Sequence, residues 1–192
     1  MPDRTADVLV IGGGPAGASA AYWLASGGHR VTIVERRSFP RSKPCGDALT
    51  PRAAFRLSEL GLAHLLDTAH HHRGVRLTAG TRSRDIAWPA HRQFPQTGVA
   101  LRRRDLDEQL AHHAVSAGAE LLEGHEAIEP IVERGLVRGA VVRNPLGGTS
   151  ELRSPFVVVA DGANSTFGRT LGTLRTRGWP FGTGIRAYWA SA

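Results

Sequence analysis

Near the N-terminus, the six residues Gly12-Gly13-Gly14-Pro15-Ala16-Gly17 follow the pattern G-x-G-x-x-G. They stand directly after the apolar run Asp7–Ile11 and open the alanine-rich segment Ala16–Ser26. Between a strand and a helix, each glycine has its own duty. Gly12 allows the tight turn, Gly14 lets the backbone approach a pyrophosphate, and Gly17 permits close packing of helix on strand. The turn that holds Pro15 and Ala16 then offers phosphates unpaired N–H groups and the positive end of the helix dipole. Pro15 fits there because its missing N–H leaves no bond unmade. A second apolar run, Arg30–Val34, closes with Glu35. An acid about 20 residues past the glycines accepts hydrogen bonds from the adenosine ribose hydroxyls. It also repels a 2′-phosphate, so the expected ligand is FAD or NAD and not NADP. Arg36 and Arg37 come next, either as groups stacked near the adenine or as a solvated pair.

Other reactive or charged groups do not, by themselves, fix a chemistry. Cys45 is the only cysteine and lies in the stretch "SKPCGDALTPR". A free cysteine behaves as a small hydrophobe. The nine histidines are spread along the chain, with no arrangement that marks Cys45 as a nucleophile. His70-His71-His72 reads as a solvated loop, because consecutive side chains diverge and cannot share a metal. Arg103 sits in the run Arg102-Arg103-Arg104 and, on its own, is a solvated cation. Asp161-Gly162 is a common turn dipeptide, so a turn or helix cap and a site residue are both open for Asp161.

The elements that must position these groups follow from hydrophobic periodicity. Asp7–Ile11 is continuous and β-branched, as for a parallel strand buried on both faces. The alanine-rich helix ends at Gly27-Gly28, and Arg30–Val34 is the second strand. This β-α-β unit has a right-handed crossover. Beyond it, Arg52–Leu66 forms two short helical pieces broken at Gly61, and Gly74–Ala79 with Asp85–Trp88 forms an antiparallel hairpin. Arg103–Ser116 is an amphipathic helix, with Leu106, Leu110 and Ala114 at spacing four. Glu120–Glu123 is a strand, Ile128–Glu133 with Leu136–Arg143 a hairpin, and Asn144–Gly148 a turn. Phe156–Ala160 is another buried strand, followed by Asp161-Gly162 and a short helix near Phe167–Leu171. The fold class is α/β, a Rossmann-like dinucleotide-binding domain with a parallel sheet, joined to a partial antiparallel sheet.

Composition sets the outer bounds. The chain has 192 residues, 41% hydrophobic and 21% charged, a globular balance. One cysteine rules out an internal disulfide and asks for no oxidising compartment. The first residues, Met1–Asp7, lack an apolar core of the kind that targets or anchors a chain, so a cytoplasmic protein is expected. The formal net charge is +7, and among the 24 basic residues only Lys43 is lysine. The arginines are dispersed and no zinc spacing or RNA-binding aromatic motif accompanies them, which argues against nucleic acid. Their charge is compatible with peripheral contact to an anionic membrane.

Three further stretches resemble the para-hydroxybenzoate-hydroxylase-like flavoproteins, and within them the geranylgeranyl reductase family with its actinobacterial menaquinone reductase members. "PRSKPCGDALTPRA" at Pro40–Ala53 resembles the K-P-C-G loop of that family, its most specific piece. "GVALRRRDLDEQL" at Gly98–Leu110 resembles an R-x-x-L/F-D helix start, matching Arg103 and Asp107. "VVVADGANSTFGRTLG" at Val157–Gly172 resembles the A-D-G-x-x-S segment, shared with related hydroxylases and here one residue longer before Arg169.

The resemblance implies FAD. Gly12, Gly14, Pro15, Ala16 and Gly17 would meet the pyrophosphate, Glu35 and Arg36 the adenosine, and Arg103 the pyrophosphate and ribityl chain. Asp161 and Gly162 would lie near the pyrophosphate. Pro44, Cys45 and Gly46 would form a loop reaching the isoalloxazine ring, with Cys45 positioning the substrate or supplying a proton. The implied reaction is reduction of carbon–carbon double bonds in a prenyl lipid, a geranylgeranyl chain or menaquinone side chain, with NAD(P)H or another reductant as electron donor. An aromatic monooxygenase on the same platform is the first alternative, and the K-P-C-G loop argues against it. An inactive FAD-binding fragment that needs a partner chain is the second. By the same resemblance, residues 1–72 and 98–175 form an incomplete FAD-binding domain, and 73–97 and 176–192 supply strands to a truncated substrate domain. Family members are roughly twice as long, so a missing C-terminal half is expected, and the hairpin at 74–88 should expose an apolar edge.

Overall fold

The computed structural model describes residues 6–173, 178, 180, 182 and 184–190. The chain begins with β1 (Val8–Ile11), α1 (Pro15–Ser26) and β2 (Val31–Glu35). There follow β3 (Ala48–Leu49), α2 (Pro51–Glu59), α3 (His64–Asp67), β4 (His70–His72), β5 (Gly74–Ala79), β6 (Arg82–Ala87) and β7 (Gly98–Ala100). The remaining elements are α4 (Arg103–Ser116), β8 (Glu120–Glu123), β9 (Glu126–Glu133), β10 (Leu136–Arg143), β11 (Thr149–Arg153), β12 (Phe156–Val159) and α5 (Phe167–Thr170). Two compact units result: Met1–Ser42 with Arg104–Gly182, and Lys43–Arg103 with Thr183–Ala192.

In the first unit, a parallel sheet has the order β12-β1-β2-β8. Its central strand reads Val-Leu-Val-Ile without alternation because both faces are covered. Val8 and Val10 point into a cluster with Val31 and Ile33, Ala21 and Ala25 of α1, and Ala114 of α4. Leu9 and Ile11 point the other way, into a cluster with Val34, Ala127, Ala140, Val142 and Phe167. Helices thus line one face, and the antiparallel sheet β11-β10-β9 with α5 lines the other. Small alanines on α1 let the helix lie close to the sheet, as the glycine motif requires.

In the second unit, β3-β7-β4 is a small antiparallel sheet. Helix α2 rests near it on Ala54 and Leu57, with Leu60, Leu62 and Val99 also buried. Thr50 caps α2, its hydroxyl accepting the Ala53 N–H at 3.3 Å, and Pro51 opens the first turn. The hairpin β5-β6 stands with Val75, Leu77 and Ile86 exposed.

The structure corrects several expectations. The His70–His72 run is not a solvated loop but strand β4, paired with β7. His72 Nδ1 accepts the Trp88 indole N–H at 3.2 Å, a packing role. Strand β11 follows the Asn144–Gly148 turn as a third strand on the expected hairpin. Residues 184–190, expected as the start of a substrate-domain strand, carry no regular secondary structure; Arg175, Thr176, Thr183 and Ala192 are among the positions of that tail outside the described residues.

Candidate functional site

The glycine loop is built as its spacing requires. Gly12 has φ +99°, a left-handed conformation, and a Cβ there would lie 2.6 Å from the Ala160 carbonyl oxygen. A Cβ on Gly17 would lie 1.9 Å from the Gly12 carbonyl oxygen. Only glycine fits at either place. Gly14 is the N-cap of α1, with no side chain to cover the first-turn N–H groups, and Pro15 follows at the first helical position. That leaves the helix start suited to an anion.

Glu35, at the C-terminal end of β2, is buried. Its Oε2 accepts the Gly13 N–H at 2.9 Å and its Oε1 accepts the Arg37 N–H at 3.1 Å. A carboxylate offers about four lone-pair directions, so capacity remains for a hydroxyl. Arg41 completes the group. Its Nη2 lies 3.5 Å from Glu35 Oε2 and its Nη1 lies 3.0 Å from Oδ2 of Asp107, which is wholly buried on α4. The Arg41 guanidinium also covers the Phe39 ring, 5.2 Å from its centroid. Nη2 would be 3.4 Å from a Cβ on Gly14, so the cation stands at the mouth of the glycine loop. Arg41 Nε is buried without a partner among the described residues.

Asp161 lies just past β12, where Ala160 N–H donates to Ile11 O at 2.8 Å. One of its oxygens, Oδ2, accepts the Phe167 N–H at 3.2 Å and so holds the start of α5. The other, Oδ1, is buried without a partner among the described residues. Gly162, at φ +93°, makes the turn, and its carbonyl accepts the Ser165 N–H at 3.0 Å. Asp161 is therefore a helix cap with one oxygen left over. Arg36 is exposed and, with Arg37, Glu126, Arg143, Asn144 and Pro145, lines an open groove of about 420 Å³.

The second unit carries the other predicted residues. Cys45 is a half-buried free thiol. Gly46 has open space around it, with nothing within 4 Å of where a Cβ would sit. Asp47, the next residue, has φ +57° and is buried. Its Oδ1 accepts the Arg103 N–H at 3.1 Å and Arg186 Nη1 at 3.2 Å, and its Oδ2 accepts the Tyr188 hydroxyl at 2.5 Å. Burial pushes the Asp47 carboxyl up. The Tyr188 hydroxyl, the Arg103 N–H and the Arg186 charge outweigh burial and hold it below its usual range. The same bond pushes the Tyr188 phenol up.

The structure thus brings Gly12, Gly13, Gly14 and Gly17 together with Glu35, and sets Asp161 beside the Gly12 turn. Sequence reading missed Arg41 and Asp47, and it noted Asp107 without a role. The signal for Arg41 was its place shortly after Glu35 on the segment that must turn back from β2. Among the described residues there is no group of three or more His, Cys, Asp or Glu able to hold a metal, and no helix long and apolar enough to cross a membrane.

The first unit fits a dinucleotide: two glycines that exclude a Cβ, a carboxylate with acceptor capacity left, and two orphaned buried polar atoms near the glycine loop. Known proteins agree. The chain is 40% identical over 186 residues to a menaquinone reductase of Mycolicibacterium smegmatis, covering 97% of this chain and 44% of that protein. It is 33% identical over 177 residues to a digeranylgeranylglycerophospholipid reductase of Thermoplasma volcanium, covering 88% of this chain and 42% of that protein. Among solved structures, a geranylgeranyl bacteriochlorophyll reductase-like protein from Thermoplasma acidophilum is 30% identical with a TM-score of 0.74, covering 88% of this chain and 42% of that one. The chain spans less than half the length of these relatives. The family model described as FAD binding domain matches residues 5–181, and the chain belongs to that family.

Proposed function

We propose that the chain is the FAD-binding portion of a flavin-dependent reductase that saturates carbon–carbon double bonds in a prenyl chain, of a menaquinone or a geranylgeranyl lipid. The observation that carries FAD binding is the clamp of Glu35 on the Gly13 N–H. The reductase reading is supported by the identity to menaquinone reductases across nearly the whole chain.

In this reading Glu35 and Arg36 hold the adenosine, and Gly12, Gly14, Pro15, Ala16 and Gly17 meet the pyrophosphate with the start of α1. Arg103, Asp161 and Gly162 complete the phosphate and ribityl contacts. FAD, once reduced by NAD(P)H or another donor, supplies the hydride chemistry. Pro44, Cys45 and Gly46 shape a loop that keeps water from the reacting bond and orients the prenyl chain. Cys45 either lines that cavity or supplies the proton. An isolated alkene reacts poorly, so positioning carries much of the rate. Residues 73–97 and 176–192 belong to a substrate domain that a further C-terminal half would complete. The +7 charge suits a peripheral encounter with the membrane that holds the lipid.

The test is a spectrum followed by turnover. The purified chain should retain a flavin absorbance or quench added FAD on titration. Supplied with the C-terminal half of a menaquinone reductase, it should bleach with a pyridine nucleotide and saturate one or more double bonds of menaquinone, without oxygen uptake. Absence of flavin binding sinks the cofactor assignment. Oxygen uptake with hydroxylated product sinks the reductase reading. Cys45→Ala in a full-length relative with unchanged prenyl reduction removes Cys45 from the site.

A further inference from the structure

We infer that Asp47 is a positioning residue, one carboxylate that fixes the Cys45 loop, the start of α4 at Arg103, and the segment around Arg186 and Tyr188 to a common point. The inference rests on the reading above for its meaning, since that reading gives the loop and Arg103 to the cofactor. All of these residues belong to the second compact unit.

The loop has one anchor and one free point. At Gly46 nothing lies within 4 Å of an added Cβ. At Asp47 the chain is tied in every direction. The Asp47 carbonyl accepts the Leu101 N–H at 2.8 Å, and β3 begins at the next residue. Aspartate tolerates positive φ better than most side chains, and surroundings that over-determine the residue hold it there. Here they do, because the carboxylate takes a backbone N–H, a guanidinium and a phenol together. Arg186 also covers the Tyr188 ring at 4.5 Å, so the two donors hold each other.

The charge type follows from the partners. A backbone N–H, a guanidinium and a phenol donate to the Asp47 side chain. An amide would bring no charge to meet the guanidinium, and an apolar group would leave all three bonds unmade. The Arg103 N–H that the carboxylate accepts comes from a segment 56 residues further along the chain, so one side chain ties the two segments together.

Cys45, as the only thiol, reports on its own loop. The experiment measures its alkylation rate with iodoacetamide in the 192-residue chain without flavin, together with hydrogen exchange at the Arg103 amide. Asp47→Asn keeps a residue that tolerates positive φ but loses the charge. It should raise both rates about tenfold, the ratio expected from losing one charge-assisted hydrogen bond. Tyr188→Phe should raise alkylation roughly twofold, as for a neutral partner lost. Asp85→Asn, on the exposed hairpin, should change neither. Wild-type rates in a folded Asp47→Asn variant overturn the inference. If that variant does not fold, an unchanged rate in Tyr188→Phe overturns it. Adding FAD separates the two readings. Protection of Cys45 in the wild type tests whether the loop faces the flavin, whatever Asp47 does. A bound flavin in Asp47→Asn should lose less affinity than in Glu35→Gln, since the Glu35 clamp is untouched, while its fluorescence changes. Equal losses of affinity and stability with unaltered fluorescence mark a scaffold residue and also overturn the inference.

Discussion

Two arginine–carboxylate pairs invite comparison. Arg76 and Asp85 face each other across the β5-β6 hairpin with two short bonds, 2.6 and 2.8 Å. Arg41 and Asp107 meet at a longer 3.0 Å. By geometry the hairpin pair is the better one. Its side chains are 69% and 67% exposed, however, whereas those of Arg41 and Asp107 are 10% and 0% exposed. Water and salt compete freely for the first pair. They scarcely reach the second, where losing one partner strands a buried charge. The lesson is that burial, not bond length, separates an ornament of the surface from a structural joint. The buried joint also touches Glu35, so its rupture should reach the cofactor.

Removing Asp107 should have the largest effect. Asp107→Ala takes the nearer carboxylate from a buried guanidinium and leaves it to the longer 3.5 Å contact with Glu35, and should cost about 3 kcal/mol in denaturant unfolding. FAD titration should show a loss of affinity as Arg41, beside Glu35, loses the carboxylate that holds it in place. If stability falls by no more than for a surface substitution, the comparison breaks. Glu35→Gln comes next. The amide keeps the size and loses the charge that Arg41 and the Gly13 N–H meet, and FAD affinity should fall about tenfold. A smaller loss would mean that the clamp is dispensable for binding.

A pH titration places Asp47 between the two extremes. Its folded pKa is lowered, so the stability it contributes is fully present above its unfolded pKa of about 3.9. That contribution is lost as pH falls through the lower folded value. Cys45 accessibility should therefore stay constant down to about pH 4 and rise below it, as read by quenched-pulse labelling with an acid-tolerant thiol reagent. In Asp47→Asn the acid step should disappear. Last, Arg76→Ala should leave the thermal midpoint unchanged within error. A clear fall would show that the exposed pair contributes after all.

Much of this was legible in the sequence, and the reason is locality. Strand β1, helix α1 and strand β2 are each set by the periodicity of a few residues, and the glycines and Glu35 lie in one β-α-β unit. The conformational demand on Gly12 and Gly17 is printed in their type. The misses share the opposite property. Asp47 reaches Arg103 at a separation of 56 residues and Tyr188 at 141. No window along the chain joins them. Strand β4 is three histidines and β3 is two residues, so neither shows an alternation. Strand β11, Thr-Ser-Glu-Leu-Arg, is an exposed edge whose strand character comes from pairing with β10. Arg41 shows no periodicity, only its place shortly after Glu35, and a long cation is read as solvated until the fold buries it.

The central strand has one further consequence, and it concerns order in time. Strand β1 is flanked by β2, close behind it in the chain, and by β12, which arrives only near residue 156. Ser154 closes the same edge by donating from Oγ to the Asp7 carbonyl, across 147 residues. Closing so long a loop carries an entropic cost before any contact rewards it. During synthesis the first strand must therefore wait, with one apolar edge open, until the segment around residue 156 has left the ribosome. The glycine turn at Gly12, which rests on Ala160, takes its final form only at that late moment.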